Sequence, residues 1–160
     1  MTYFYIHVPK DELLVDRQVI FMTVTDLVSD SEDNVRRCQQ IFDLVVQNFK
    51  TRRKFLELWP HVRYVAFVEE DGQIISCAFA STPMNWQIDY VVTRPDKRGM
   101  NLARAVTNTI TNEARKRKVP YVMLTSRPEL VHLYAHQCTY TIVGDDQGNV
   151  SSLPVMLETK

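Results

Sequence analysis

The chain carries no excess charge of either sign: Lys plus Arg number 19, and Asp plus Glu number 19. No overall field therefore draws it to nucleic acid or to an anionic membrane. Cysteine is sparse. Cys38, Cys77 and Cys138 form an odd set without metal-ligand spacing, which points to reduced thiols in a cytoplasm-like compartment. No apolar stretch is long enough to span a bilayer. The opening Met-Thr-Tyr-Phe-Tyr-Ile-His lacks the basic segment and long apolar run of a signal peptide. Internal repeats, low-complexity tracts and linkers are also missing. These absences leave a soluble, cytoplasmic protein, expected to be one domain over residues 1–160 and long enough to bury a real core.

Among what is present, hydrophobic spacing sets the element order. Tyr3 to Val8 and Gln18 to Thr25 read as strands, and pattern alone leaves open whether they pair. Ser29-Asp-Ser-Glu32 has the spacing of a capping box. Val35, Cys38, Ile41, Phe42, Val45, Val46 and Phe49 then fall on one helical face. The basic cluster Lys50, Arg52, Arg53, Lys54 follows and is read as complementing the helix dipole, with Trp59-Pro60 closing the region. Arg63 to Glu69, the turn Glu70-Asp-Gly-Gln73, and Ile74 to Ala80 make a hairpin. Ile88 to Val92 is a further strand. Tyr121 to Thr125 is a short apolar strand, and a short helix starting at Ser126-Arg-Pro-Glu129 carries Leu130, Leu133 and Tyr134 on one face. Thr139 to Val143 and Val150 to Leu157 are the last strands. The order is that of an α/β or α+β layer with one mixed sheet.

The most informative stretch is Thr93-Arg-Pro-Asp-Lys-Arg-Gly-Met-Asn-Leu-Ala-Arg104. Before it lies the strand ending at Val92. After it, Leu102, Ala105, Val106, Thr109, Ile110 and Ala114 recur at helical spacing. Pro95 bars a continued ladder, and Gly99 leaves bare backbone where a ligand could approach. The first turn of the helix has free N–H groups at the positive end of its dipole. Lys97, Arg98 and Arg104 add charge of the same sign. Together these features make a site for a phosphate or diphosphate.

The run from Arg63 to Val143 resembles the GNAT superfamily of N-acetyltransferases. The family pattern V-x-P-x-x-R-G-x-G-x-G/A falls on Thr93, Arg94, Pro95, Asp96, Lys97, Arg98, Gly99, Met100, Asn101, Leu102 and Ala103. The later L-Y-x-x-x-G-F falls on Leu133, Tyr134, Ala135, His136, Gln137, Cys138 and Thr139. The resemblance implies a mixed, mostly antiparallel sheet of about seven strands with about three to four flanking helices. It implies acetyl-CoA as co-substrate and no metal. Backbone at Val91, Val92 and Thr93 would bond the pantetheine arm, and Arg98, Gly99, Met100, Asn101, Leu102, Ala103 and Arg104 would hold the diphosphate. Tyr134 stands where the family has its general acid. The family's strand Glu is Gln87 here, which cannot titrate. Asp89, two residues on and so on the same strand face, is the candidate base, acting through water.

Asn101 and Cys138-Thr139 also replace family residues, and with only four glycines in the chain these positions have not simply shifted. Two functions stay open: an N-acetyltransferase acting on an amine of a small molecule or protein, and a GNAT fold without turnover that binds a partner protein. The acceptor pocket is expected between the N-terminal helix and the last strands, where Asp145-Asp146 would suit a cationic amine. A monomer or a homodimer fits equally. His132 and His136 have metal-ligand spacing but no third ligand, and are read as surface histidines. Cys138 has no acidic partner that would complete a nucleophilic triad.

Overall fold

A strand covered on both faces needs apolar or small residues at every position, not alternate ones. Gln73–Ser81 (β4) has that character and is buried without a break from Ile74 onward. The computed structural model, which describes residues 2–29, 31–49, 52–82 and 85–145, builds a sheet around it. The other strands are Thr2–His7 (β1), Ile20–Thr23 (β2), Val62–Glu70 (β3), Trp86–Thr93 (β5), Tyr121–Ser126 (β6) and Thr141–Asp145 (β7). Their order across the seven-stranded sheet is β2-β3-β4-β5-β6-β1-β7. The β5–β6 pair is parallel and the other described pairs are antiparallel. This is the mixed, mostly antiparallel sheet expected above. The strand read at Val150 to Leu157 lies outside the described residues.

The first two strands do not pair. β2 is an edge strand beside β3, while β1 lies between β6 and β7. The chain between them therefore crosses most of the width of the sheet.

Helices pack on both faces. On one side lie Val24–Leu27 (α1), Glu32–Phe49 (α2) and Arg52–Leu58 (α3); on the other lies Leu102–Lys116 (α4). Two apolar clusters result. Phe55, Phe67 and Phe79 centre one, with Ile41, Leu44 and Val45 of α2. Phe4, Ile75, Ile88 and Leu124 centre the other, with Leu102, Val106 and Ile110 of α4. Complete burial of one such Phe is worth roughly 1.5–3 kcal/mol.

Two details of α2 differ from the sequence reading. Its N-terminus is held by Ser31, whose Oγ accepts from the Asn34 amide at 3.0 Å. Ser29 instead accepts from the Asn34 side chain. Val35 is 62 % exposed, because the apolar stripe turns inward only from Cys38 onward. The basic cluster also resolves differently. Arg53 and Lys54 lie in α3, a short helix the pattern did not separate, rather than at the end of α2. Arg53 pairs with Glu57 at 3.2 Å on the surface, a contact worth little.

Candidate functional site

A one-residue irregularity in β5 shapes the site. Asp89 faces Phe79 of β4 and Val92 faces Cys77, so three residues of β5 span two of β4. That is a β-bulge. Tyr90 absorbs it with a φ of 52°. The extra residue reverses the alternation: Ile88 packs with the α4-side cluster and Val92 with the α2-side cluster, although an even offset of four positions would put both on one face. Among the described residues of β5, only Trp86, Gln87 and Ile88 pair with β6. From Asp89 onward the two parallel strands diverge. A cavity of about 880 Å³ opens there, lined by Asp89 to Thr93 on one side and by Thr125 and Ser126 on the other.

Asp89 is half-buried, and Gln87 Nε2 donates to its Oδ1 at 3.4 Å, so the two share a face as expected. Burial pushes the Asp89 carboxyl above its ordinary range, and the Gln87 bond opposes that only in part. Arg94 turns away from Asp89 and forms a fork with Asp96, at 2.6 Å and 3.1 Å.

The turn after β5 leads into α4 as anticipated. Pro95–Lys97 forms a single 3-10 turn. Gly99 has φ of 82°, with nothing within 4 Å of where a Cβ would stand. Asn101 occupies the left-handed region at φ 61° and ψ 23°, and its side chain does not cap the helix. Among the described residues, no backbone amide from Arg98 to Arg104 donates to a protein acceptor; the first in the series to do so is Ala105, to the Asn101 carbonyl. Of the three cations expected to help, Lys97 is paired with Glu70 at 2.6 Å and Arg104 with Asp16 at 3.0 Å. Among the described residues, Arg98 bonds only neutral acceptors, the Asn48 side chain at 3.0 Å and the Thr93 carbonyl at 3.4 Å.

Asn101 holds a backbone state that most side chains resist. Exchanging it for Gly is expected to leave the thermal midpoint within about 2 °C, because Asn tolerates this region. Asn101→Val is expected to lower it by about 4–8 °C, for a cost of about 2 kcal/mol. Calorimetric melting of the two variants checks this.

Tyr134 lies on a π-helical turn, Leu133–Gln137, where the sequence suggested an ordinary short helix. The Cys138 amide donates to the Leu133 carbonyl and the Tyr140 amide to the Tyr134 carbonyl, at 3.0 Å and 2.7 Å. The wider turn is closed by Thr139 at φ 62°, a costly state for a β-branched residue. The next residue supplies the aromatic plug that Cys138-Thr139 lacks. Tyr140 is buried, bonds Thr111 through its hydroxyl at 2.8 Å, and meets the Tyr134 ring edge-on at 6.5 Å. Tyr134 is 2 % exposed and lines the cavity. Among the described residues nothing bonds its hydroxyl. Burial, with Cys138 nearby, pushes that hydroxyl above its ordinary range. The Cys138 thiol is itself pushed up to about 12 by burial, against the pull of Arg104. Cys138 is therefore a protonated core residue, not a nucleophile.

The residues given a catalytic or cofactor-binding role in the sequence line this cavity except Met100, which is on the same turn. Sequence reasoning missed the opposite wall: Asn48 and Phe49 of α2, Lys54 and Leu58 of α3, and Arg127 and Glu129 after β6. Phe49 was assigned to the core stripe. It meets the Tyr90 ring edge-on at 5.1 Å and lies under the Arg127 guanidinium at 5.5 Å, closing the cavity between α2 and β6. Only the apolar position of Phe49 could have signalled this. Of the acidic pair expected at the mouth, Asp146 lies outside the described residues. His132 and His136 are exposed with ring centroids 4.8 Å apart. Among the described residues no three potential ligands gather for a metal. None of the described helices is long and apolar enough to cross a membrane. Unoccupied amides, an open approach at Gly99 and a cavity of this size suit a diphosphate-bearing ligand with a long arm.

Comparison with known proteins agrees with this geometry. The model of the Acetyltransferase (GNAT) family matches residues 32–140. No curated protein matches the chain in sequence. Among solved structures, a putative GNAT acetyltransferase from Novosphingobium aromaticivorans is similar at TM-score 0.58 and 17 % identity over 88 % of this chain. The chain spans only 59 % of that protein's length. A ribosomal-protein-alanine N-acetyltransferase from Brucella melitensis is similar at TM-score 0.55 and 16 % identity, covering 87 % of this chain and 99 % of that one. Glucosamine-6-phosphate N-acetyltransferase from Arabidopsis thaliana gives 0.54 and 14 %, covering 85 % and 98 %. At such identities the likeness shows the fold.

Proposed function

Since the chain belongs to the GNAT acetyltransferase family, we propose that it moves an acetyl group from acetyl-CoA to an amine of a small molecule or a protein. One observation supports this most: the unoccupied amides at the start of α4 line the same cavity as Asp89 and Tyr134. Acetyl-CoA, when bound, supplies a thioester carbonyl open to attack by an amine. The residues of this chain do the rest. The amides from Gly99 to Ala103, with Arg98, take the diphosphate. The backbone of Val91, Val92 and Thr93, past the point where β6 departs, takes the pantetheine arm. Asp89 accepts the proton of the attacking amine through water, and its raised pKa makes it a stronger base than an exposed carboxylate. Tyr134 remains protonated at neutral pH and hands a proton to the departing sulfur.

The test is thiol release on mixing protein, acetyl-CoA and a panel of amines. The panel spans peptide N-termini and phosphorylated amino sugars, the acceptor classes named for the Brucella and Arabidopsis proteins. Tight acetyl-CoA binding without turnover on any amine favours the binding-module reading, which Gln87 in the base position supports.

Asp89 also links stability to pH. A carboxyl whose folded pKa is raised stabilises the fold while protonated and loses that contribution as pH rises through its folded value. Asp89→Asn is neutral throughout. Its melting temperature is expected to match the parent at pH 4 and exceed it at pH 8. Its transfer rate is expected to fall by about tenfold and to lose the acid-side limb of the pH profile. A rate and profile identical to the parent would remove Asp89 from the mechanism.

A further inference from the structure

The segment between β1 and β2 follows α4 as a strap, and its contacts progress one helical turn at a time. The Leu13 amide donates to Asn112 Oδ1 at 2.7 Å, and Asn112 Nδ2 returns a bond to the Leu13 carbonyl at 2.9 Å. Asn108 Nδ2 donates to the Leu14 carbonyl at 3.1 Å. Arg104 pairs with Asp16 at 3.0 Å. Arg17 Nε then donates to the Met100 carbonyl at 2.8 Å. The partners are thus 112, 108 and 104, at the four-residue spacing of one face of α4, and then Met100 in the turn that precedes the helix. Asn108 and Asn112 are 2 % and 4 % exposed, costly positions for an amide unless it is bonded. The bonds of these two buried asparagines thereby fix the course of the strap along α4, and it ends on the turn proposed to hold the diphosphate.

From this we infer that Arg17 is a positioning residue for that turn, an inference that rests on the acetyl-CoA reading. The physics is local. In a trans peptide the carbonyl of one residue and the N–H of the next point in opposite directions. No described peptide bond is cis. Holding the Met100 carbonyl on Arg17 therefore orients the Asn101 N–H away from the strap. Asn101 lines the cavity and sits in a left-handed state with no capping hydrogen bond from its own side chain. The Arg17 bond supplies the external restraint that such a state needs. A guanidinium suits the task because it keeps its charge at every relevant pH and has further donors to spare.

Two measurements on Arg17→Ala and Arg17→Lys test this. In 15N relaxation of the free protein, the amide order parameters at residues 99–102 are expected to fall in Arg17→Ala, with α4 beyond residue 105 unaffected. Unchanged order parameters at the turn overturn the inference, whatever the protein binds. In calorimetry and steady-state kinetics, Arg17→Ala is expected to raise both the Kd and the KM for acetyl-CoA by about tenfold with kcat within twofold, and Arg17→Lys to recover part of the loss. A kcat loss at constant KM, or parent-like affinity in Arg17→Ala, also overturns it. Parent protein that fails to bind acetyl-CoA sinks the acetyltransferase reading instead, and the relaxation experiment still decides whether Arg17 holds the turn.

Discussion

Replacing Tyr134 by Phe is expected to cut kcat by about 10²–10³-fold while acetyl-CoA affinity stays as it was. The substitution removes one oxygen and keeps the ring. That ring packs against Phe4 at a centroid distance of 5.4 Å and against Tyr140 at 6.5 Å, so the core beneath the π-helical turn is preserved. The hydroxyl bonds to no described protein group, so its removal leaves no partner stranded and the melting temperature should hold. The loss then reports the proton alone. The pH profile carries a second signature. Since the Tyr134 hydroxyl titrates above its ordinary range, the parent enzyme should show no alkaline fall from this group up to about pH 9. A donor thioester whose thiol is more acidic, and so leaves more easily, should depend on Tyr134 less. Steady-state rates with acetyl-CoA for both proteins settle the matter: a Tyr134→Phe rate within threefold of the parent would mean that another group protonates the sulfur.

The second large effect is expected from Ala103→Glu. Ala103 lies in the first turn of α4 and lines the cavity. A carboxylate there is good for the helix, because it meets the positive end of the dipole and gains about 0.3–1 kcal/mol. The fold should therefore be as stable as the parent or slightly more so. The same carboxylate stands where a diphosphate has to come. Like charges about 5 Å apart at an effective dielectric near 20 repel by about 3 kcal/mol, a loss of more than 100-fold in affinity. Ala103→Gln has the same bulk without the charge and should lose far less. Isothermal titration of CoA into the three proteins separates charge from bulk. Parent-like binding by Ala103→Glu would move the diphosphate away from the start of α4. The two experiments are complementary: one leaves binding intact and stops the chemistry, while the other leaves the chemical groups intact and stops binding.

The turn from Thr93 to Arg104 was legible because each of its instructions is local. Pro95 ends a ladder, Gly99 permits a positive φ, and apolar residues from Leu102 onward repeat at helical spacing. The sheet strands were legible from short-range pattern for the same reason. What could not be read depends on distant partners. Tyr has no preference for a positive φ, so nothing at Tyr90 announces the bulge that turns Val92 to the opposite face. Nothing in Thr2–His7 says that it will lie between β6 and β7 rather than beside β2. The strap looks like an ordinary polar connection until Asn108 and Asn112 are seen from the helix side. The charges of Lys97 and Arg104 were countable, but their neutralisation by Glu70 and Asp16 was not, since those carboxylates arrive from separate parts of the chain.

The double-sided burial of β4 has a bearing on how such a protein can diverge. The wall formed by α2 and α3 belongs to one apolar cluster, and the start of α4 belongs to the other, with the sheet as a partition between them. Residues of α2 and α3 that face the cavity, other than Asn48 with its bond to Arg98, can be exchanged, and the shape of that end remodelled, while the packing beneath the start of α4 is left undisturbed. On the proposed function, lineages built on this plan are free to explore new acceptors while changing little in how they grip their donor.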